Sequence, residues 1–211
     1  KYIKAPDIDF VMQNAENIKL VTLAPETDMD LKFTKYVSHN TDIAISVGHT
    51  DATYEQTSAA FKSGARHVTH LFNAMNQFHH IRPGTVGAAL TLDEAYVEII
   101  GDEEHVNPSA YPLVIRCKPL DKILLITDCQ TVGGLAPGVY NTGGMRILVD
   151  DRIAKLDSGV IAGSVIGLNR AVRNFYRNTN LSISQVVRMA SLNQAELLHI
   201  NKECGSIEVG K

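Results

Sequence analysis

The chain has 211 residues, 45% of them hydrophobic and 20% charged, which supplies enough apolar side chain for a buried core and excludes a disordered segment. Against 20 Lys and Arg stand 23 Asp and Glu, for a formal charge of -3. These charges are dispersed along the chain, which argues against a nucleic-acid or membrane-surface partner and favours a small-molecule task.

In chain order, short β-branched runs predict strands at Ile18 to Leu23, Ile43 to Val47, His67 to Leu71, Val97 to Ile100 and Ile123 to Thr127. Helical-period stretches separate several of them, at Leu31 to His39, Tyr54 to Lys62 and Pro108 to Cys117, the last with Asn107 as its cap and Pro108 in its first turn. This is the pattern of βα units, so the strands are expected to run parallel and to be apolar on both sides. After Asp128 the pairs Gly133-Gly134, Pro137-Gly138 and Gly143-Gly144 read as a turn-rich loop. It leads into a β-hairpin of Arg146 to Val149 and Ile153 to Leu156. Helices are expected from Ser164 to Asn178 and from Ser182 to Ser191, the second capped by Ser182 or Ser184. The tail Gly205 to Lys211 reads as the entry to a strand.

No apolar run reaches the roughly 20 residues of a membrane-spanning helix. The opening Lys1-Tyr2-Ile3-Lys4-Ala5-Pro6 resembles neither a signal peptide nor an initiator methionine, so we expect the chain to begin within a longer protein. Cys117, Cys129 and Cys204 lack CxxC spacing and do not suggest a disulfide framework, which fits a cytoplasmic protein.

Polar residues follow the predicted strands: Glu26, His49, His70, His105 and Asp128. In a βα barrel these positions share one mouth. Singly, each has a plain structural role open to it, as a buried histidine, a helix-entry residue or a cap; five on consecutive units tip the balance toward a site. Two imidazoles and a carboxylate suit a divalent metal such as zinc, with Asp128 moving a proton between water and a leaving amine. His67 lies at a strand start, the wrong end for such a site, and His79-His80 lies in a loop. Asn73-Ala74 and Arg82 suit an anion, although Asn73 is also an ordinary turn residue and Arg82 an ordinary surface cation. Ile161-Ala162-Gly163-Ser164 reads as a helix N-cap in preference to a phosphate turn.

The ordered set Val21-Thr22-Leu23-Ala24-Pro25-Glu26, Gly48-His49-Thr50-Asp51-Ala52, Thr69-His70-Leu71-Phe72-Asn73-Ala74-Met75, Arg82-Pro83-Gly84, Thr127-Asp128 and Ala162-Gly163-Ser164 resembles the N-acetylglucosamine-6-phosphate deacetylases of the amidohydrolase superfamily. The resemblance runs along essentially the whole chain. It implies a metal-dependent barrel enzyme, usually a homodimer, that removes acetate from the 2-acetamido group of a small phosphorylated amino sugar. It further implies His49 and His70 as metal ligands, Asp128 as the catalytic acid and base, Asn73, Ala74 and Arg82 at the phosphate, and His105 near the acetamido group. Zinc is the first choice of cation, with iron or another divalent ion as the alternative.

Four departures stand out, one of them Cys129 in place of a common alanine. The family's His-x-Glu-Gly-Pro segment, whose glutamate is a metal ligand, has no counterpart in the chain. The loop before His105 usually reads Ala-Asp-Gly but here is Gly101-Asp102-Glu103-Glu104. Ile81 occupies the usual place of the phosphate arginine, with Arg82 one position later.

The expected fold class is therefore α/β, the C-terminal portion of a (β/α)8 barrel with part of a small β domain; a barrel takes about 250 residues, and only five strands precede Asp128. The runner-up is a doubly wound sheet. Residues 1–138 are assigned to the partial barrel, 139–161 to the small β region, 162–200 to C-terminal helices and 201–211 to the return toward the small domain. Another metal-dependent amidohydrolase and a non-catalytic truncated scaffold are the competing functional readings.

Overall fold

A computed structural model of the chain describes residues 2–211. Helix α1 (Ala5–Gln13) precedes β1 (Leu20–Leu23), and the alternation continues through α2 (Lys32–Asn40), β2 (Ala44–Val47), α3 (Tyr54–Lys62), β3 (Ala65–Val68), α4 (Gly84–Thr91), β4 (Tyr96–Ile100), α5 (Tyr111–Cys117) and β5 (Ile123–Ile126). Local chemistry accounts for several boundaries. Thr53 and Gln56 form a reciprocal capping box that starts α3, and Asn107 accepts from the Ser109 N–H at the 3-10 turn leading into α5. Helix α2 has a remote cap: buried Asp28 accepts from the N–H groups of Phe33 and Thr34 at 2.9 Å and from the Thr34 hydroxyl at 2.8 Å.

The five strands form one parallel sheet in the order β1-β2-β3-β4-β5. Each strand lies beside its sequence neighbour, so the order contains no reversal of the kind a doubly wound sheet requires. It matches the run of strands around a barrel wall. On the helix-facing side, Ile45, Val47, Val68, Val97, Ile99 and Leu125 pack with Phe33, Val37, Phe61, Val86, Val114 and Phe175 in the main core.

The opposite side corrects the expectation of strands apolar on both faces. Leu20, Ala44, Tyr96 and Leu124 make an apolar floor with Leu197 and Leu198. Toward the C-terminal ends of the strands stand Thr22, Ser46, His67 and Glu98, one polar residue from each of four strands. The physical reason is mutual satisfaction. Each has a polar partner: Ser46 bonds to His67 and to Thr69, which also holds Thr22, and Glu98 accepts from the His70 N–H, which offsets the cost of burying Ser46, His67 and Glu98.

Beyond β5 the structure departs further from the sequence reading. The expected hairpin is present as β7 (Met145–Val149) and β8 (Ile153–Leu156), but it is the middle of a four-stranded antiparallel sheet that adds β6 (Gly138–Thr142) and β9 (Ile161–Ser164). Gly143 and Gly144, both at positive φ, close the β6–β7 turn, so this glycine pair marks a hairpin. Ile161 to Ser164 is a strand and not a cap, because its backbone pairs with β8. The next helix, α6 (Leu168–Arg177), starts later, after Gly167. Ser182 does cap α7 (Ile183–Met189), again with a capping box, and α8 (Leu192–Leu197) follows and packs on β5 with α6 and α7. Residues 205–211 form turns and bends, with no strand among them.

Replacing Asp28 with Ala leaves two N–H groups of α2 without their acceptor and should lower stability by about 1–3 kcal/mol. Urea denaturation checks this: the midpoint should fall with an unchanged slope, and an unchanged midpoint would show that α2 needs no remote cap.

Candidate functional site

Four polar side chains occupy the second position past a strand end: His49 after β2, His70 after β3, Asp102 after β4 and Asp128 after β5. His49, His70 and Asp128 have left-handed backbones, with φ of 48°, 31° and 47°. Side chains rarely adopt this conformation, and it costs energy that the surrounding structure must supply. The turn re-aims each side chain from the sheet toward the same mouth.

His49 and His70 meet there, their Nε2 atoms 2.8 Å apart and their rings edge to face. Burial pushes the His70 imidazole below its ordinary pKa, and His49 beside it pushes in the same direction; Asp128 opposes both. Two imidazoles whose Nε2 atoms meet at one point are a suitable start for holding a cation.

Below this pair lies a hydrogen-bonded polar ladder that the sequence reading missed. Thr22 Oγ1 lies 3.0 Å from Thr69 Oγ1, which lies 2.6 Å from Ser46 Oγ, and Ser46 Oγ is 2.7 Å from His67 Nδ1. On its other side His67 Nε2 approaches Glu98 Oε1 at 3.3 Å without making an aligned hydrogen bond. Glu98 Oε2 accepts the His70 backbone N–H at 3.0 Å. Burial pushes His67 down to about 3 and Glu98 up to about 7. Both shifts oppose an ion pair, so His67 is a neutral structural link in the sheet and not a strand-start residue remote from the site. A signal was present in the sequence: Val21-Thr22-Leu23, Ile45-Ser46-Val47 and Val97-Glu98-Ile99 each put one polar residue between two apolar ones.

Glu26 serves as a brace. Its carboxylate accepts from Thr50 Oγ1 at 2.5 Å and from the Asp51 N–H at 2.8 Å, tying the loop after β1 to the loop after His49. Asn73 and Ala74 follow His70 in a tight turn in which the Asn73 N–H donates to the His70 carbonyl at 2.9 Å and the Ala74 carbonyl accepts from the Thr50 N–H at 3.0 Å. Arg82 is exposed and lines a cleft of about 460 Å³ with His79, Asn76 and Asp51. His79 and His80 stack on each other. His105 is held by Asp102 at 2.5 Å and makes no hydrogen bond to His49, His70 or Asp128.

The segment carrying Asp128 is clamped from the second sheet. The Ser164 N–H donates to the Asp128 carbonyl at 3.0 Å, the Gln130 N–H donates to the Ser164 carbonyl at 2.8 Å, and Ser164 Oγ donates to the Thr127 carbonyl. Gly163 makes this approach possible: its φ is +97°, and a Cβ there would stand 3.0 Å from the Asp128 carbonyl oxygen and 2.7 Å from Gln130 Nε2. The Ala162-Gly163-Ser164 motif therefore acts as a clamp on β5.

Among the described residues no group of three or more His, Cys, Asp or Glu gathers as a metal site, and no helix is long and apolar enough to cross a membrane.

Comparison with known proteins places these features in context. The family model for the amidohydrolase family matches residues 9–211. An N-acetylglucosamine-6-phosphate deacetylase from Bacillus subtilis is 42% identical over 194 residues, covering 92% of the chain and 49% of that protein. An N-acetylgalactosamine-6-phosphate deacetylase from Escherichia coli O157:H7 is 35% identical over 92% of the chain and 51% of its own length. Among solved structures, an N-acetyl-D-glucosamine-6-phosphate deacetylase variant from Mycobacterium smegmatis, in complex with N-acetyl-D-glucosamine-6-phosphate, superimposes with a TM-score of 0.88. It is 32% identical over 95% of the chain and 54% of that structure. The chain thus spans about half the length of the curated relatives it matches.

Replacing Gly163 with Ala adds a Cβ against the Asp128 carbonyl in a backbone region that disfavours it, and should cost about 1–3 kcal/mol. Thermal unfolding measures the loss, and a melting temperature equal to that of the parent would contradict the clamp.

Proposed function

Because the chain belongs to the amidohydrolase family, we propose that it forms the metal- and substrate-binding half of a hydrolase that converts N-acetylglucosamine-6-phosphate to glucosamine-6-phosphate and acetate. The observation that carries this reading is the meeting of His49 Nε2 and His70 Nε2 at 2.8 Å, with Asp128 close enough to act electrostatically on His70. Two imidazole nitrogens at one point fit a borderline divalent cation, zinc first and iron or another divalent ion second. They form part of the three-ligand set that catalytic zinc sites generally use. When bound, such a cation supplies the Lewis acidity that polarises a carbonyl and acidifies water.

The chain's own residues supply the rest. The Asp128 carboxylate takes a proton from the attacking water and returns it to the amide nitrogen, so that the C–N bond breaks to give acetate and the free amine while Asp128 recovers its charge. The turn at Asn73 and Ala74 and the Arg82 cation receive the phosphate. His105 contacts the substrate beside the acetamido group. The half-buried Cys117 and exposed Cys129 and Cys204 are free thiols, which is consistent with a cytoplasmic setting.

Assaying acetate release by the intact protein tests the reading. N-acetylglucosamine-6-phosphate should be turned over at least tenfold more efficiently than unphosphorylated N-acetylglucosamine. Preference for N-acetylgalactosamine-6-phosphate would move the substrate to the epimer, and no acetate from either phosphosugar would overturn the proposal. In the same protein Asp128→Asn should reduce turnover by about 10²–10⁴-fold, since the amide cannot carry the proton. Its metal content should not change; parent-like turnover would assign the proton transfer elsewhere. Conversely, His49→Ala and His70→Ala should each lower the bound metal measured by elemental analysis. Full metal occupancy in both variants would remove the two imidazoles from the site.

A further inference from the structure

We infer that Asp102 is the positioning residue for His105, holding its imidazole with the proton on Nδ1 so that Nε2 is the nitrogen presented to the substrate. The contact with substrate rests on the deacetylase reading above; the tautomer follows from the geometry. Asp102 Oδ2 lies 2.5 Å from His105 Nδ1; with Asp102 as the acceptor, the role it already has toward two N–H groups, the hydrogen between them belongs to Nδ1. The other oxygen, Oδ1, accepts the N–H groups of Glu104 at 3.0 Å and of His105 at 2.9 Å. Those two bonds alone would describe an ordinary turn-forming aspartate. The third bond to the ring is an additional constraint, as is the placement of the carboxylate: the Asp102 side chain is fully buried, while the ring it holds keeps 9% of its surface exposed. His105 Nε2 has no hydrogen-bond partner among the described residues and is not among the buried polar atoms lacking one.

Position supports the same conclusion. Asp102 is the second residue past β4, the place that His49, His70 and Asp128 take on their own strands. Here the ring lies three positions later, on His105, with the Asp102 carboxylate buried beneath it. The loop between them is anchored at every step. The Gly101 N–H donates to the Ile126 carbonyl at 3.1 Å, and the Gly101 carbonyl accepts from Asn174 Nδ2 at 3.0 Å. Glu103 Oε1 accepts from Asn178 Nδ2 at 2.8 Å, and Glu104 pairs with Arg152 from the β7–β8 turn at 3.0 Å. Glu103 and Glu104 therefore have partners just beyond α6 and in the β7–β8 turn of the second sheet. A ring held in this way offers a lone pair on Nε2 to a substrate donor. When protonated it donates from Nε2 to a substrate oxygen while Asp102 balances the charge.

The discriminating variant is Asp102→Asn. Its side-chain oxygen is retained by the Glu104 and His105 N–H groups, so its NH2 faces Nδ1, which must now accept. The proton then moves to Nε2. Imidazole ¹⁵N NMR, with the His105 resonances identified by their loss in His105→Gln, should report the Nδ1–H tautomer in the parent and Nε2–H in the variant. Over the same comparison kcat for N-acetylglucosamine-6-phosphate should fall by about tenfold or more, with KM within about twofold, as expected when a correctly placed ring has the wrong tautomer. An Nε2–H tautomer in the parent overturns the inference. So does a variant with parent-like kcat and a lowered melting temperature, since Asp102 would then only shape the turn. If the variant fails to fold, the parent tautomer decides the inference. Absence of turnover in the parent would remove the deacetylase reading and leave the NMR result to decide the Asp102–His105 arrangement independently.

Discussion

The arrangement at the mouth depends on one hydrogen bond, from the His70 N–H to Glu98 Oε2 at 3.0 Å. His70 stands at a φ of 31°, beyond the end of its strand, and the acceptor for its N–H is a side chain from the neighbouring strand. A buried N–H without an acceptor would cost about 1–3 kcal/mol, comparable with the strain already held in that turn. Glu98 is in turn confined by His67, His67 by Ser46, and Ser46 through Thr69 by Thr22. A chain of contacts across four strands thus ends at the residue whose imidazole faces His49. The ladder is largely buried, and Glu98 is pushed up to about 7 by that burial. The polar face of the sheet is therefore a rigid support, from which two histidines and an aspartate are turned into one space.

The second sheet has a defined part in this support. Strand β9 holds the backbone around Asp128 through Ser164, and Arg152 from the β7–β8 turn holds Glu104 in the loop that carries His105. Two of the groups proposed to act on the substrate are therefore fixed from outside the parallel sheet. The missing side chain at Gly163 leaves room for the Asp128 carbonyl and the Gln130 side chain, and so permits β9 to reach this segment.

Much of this was legible in the sequence where periodicity and local chemistry agree. Tyr54–Lys62 is both the predicted and the observed helix, because the Thr53–Gln56 box fixes its start. The five strands were found because β-branched runs recur at the pitch of a βα unit. Helix α4 was missed because Gly84-Thr85-Val86-Gly87 is poor helix sequence; burial of Gly84 through Ala89 against the core overrides local preference. In the second sheet the β7–β8 hairpin is legible, whereas β6 and β9 are not, because Gly138 and Gly163 lie inside these strands and interrupt their apolar pattern.

At the site, His49, His70 and Asp128 stood out because each follows a strand. The ladder beneath them escaped because single polar residues inside apolar strands were averaged into the hydrophobic pattern. The role of Asp102 escaped for a related reason: its charge was counted with the acidic loop, although its hydrogen bonds go to its own turn and to the His105 ring. Glu26, conversely, has the right place for a ligand but is taken up as a brace by Thr50 and Asp51.

The central claim is that His49 and His70 share one divalent cation through their Nε2 atoms. Anomalous diffraction at the zinc edge from crystals of the intact protein grown with zinc tests it directly. The account predicts a peak about 2.0–2.1 Å from both nitrogens. A peak held by the His79-His80 pair, or by only one of the two imidazoles, would contradict it.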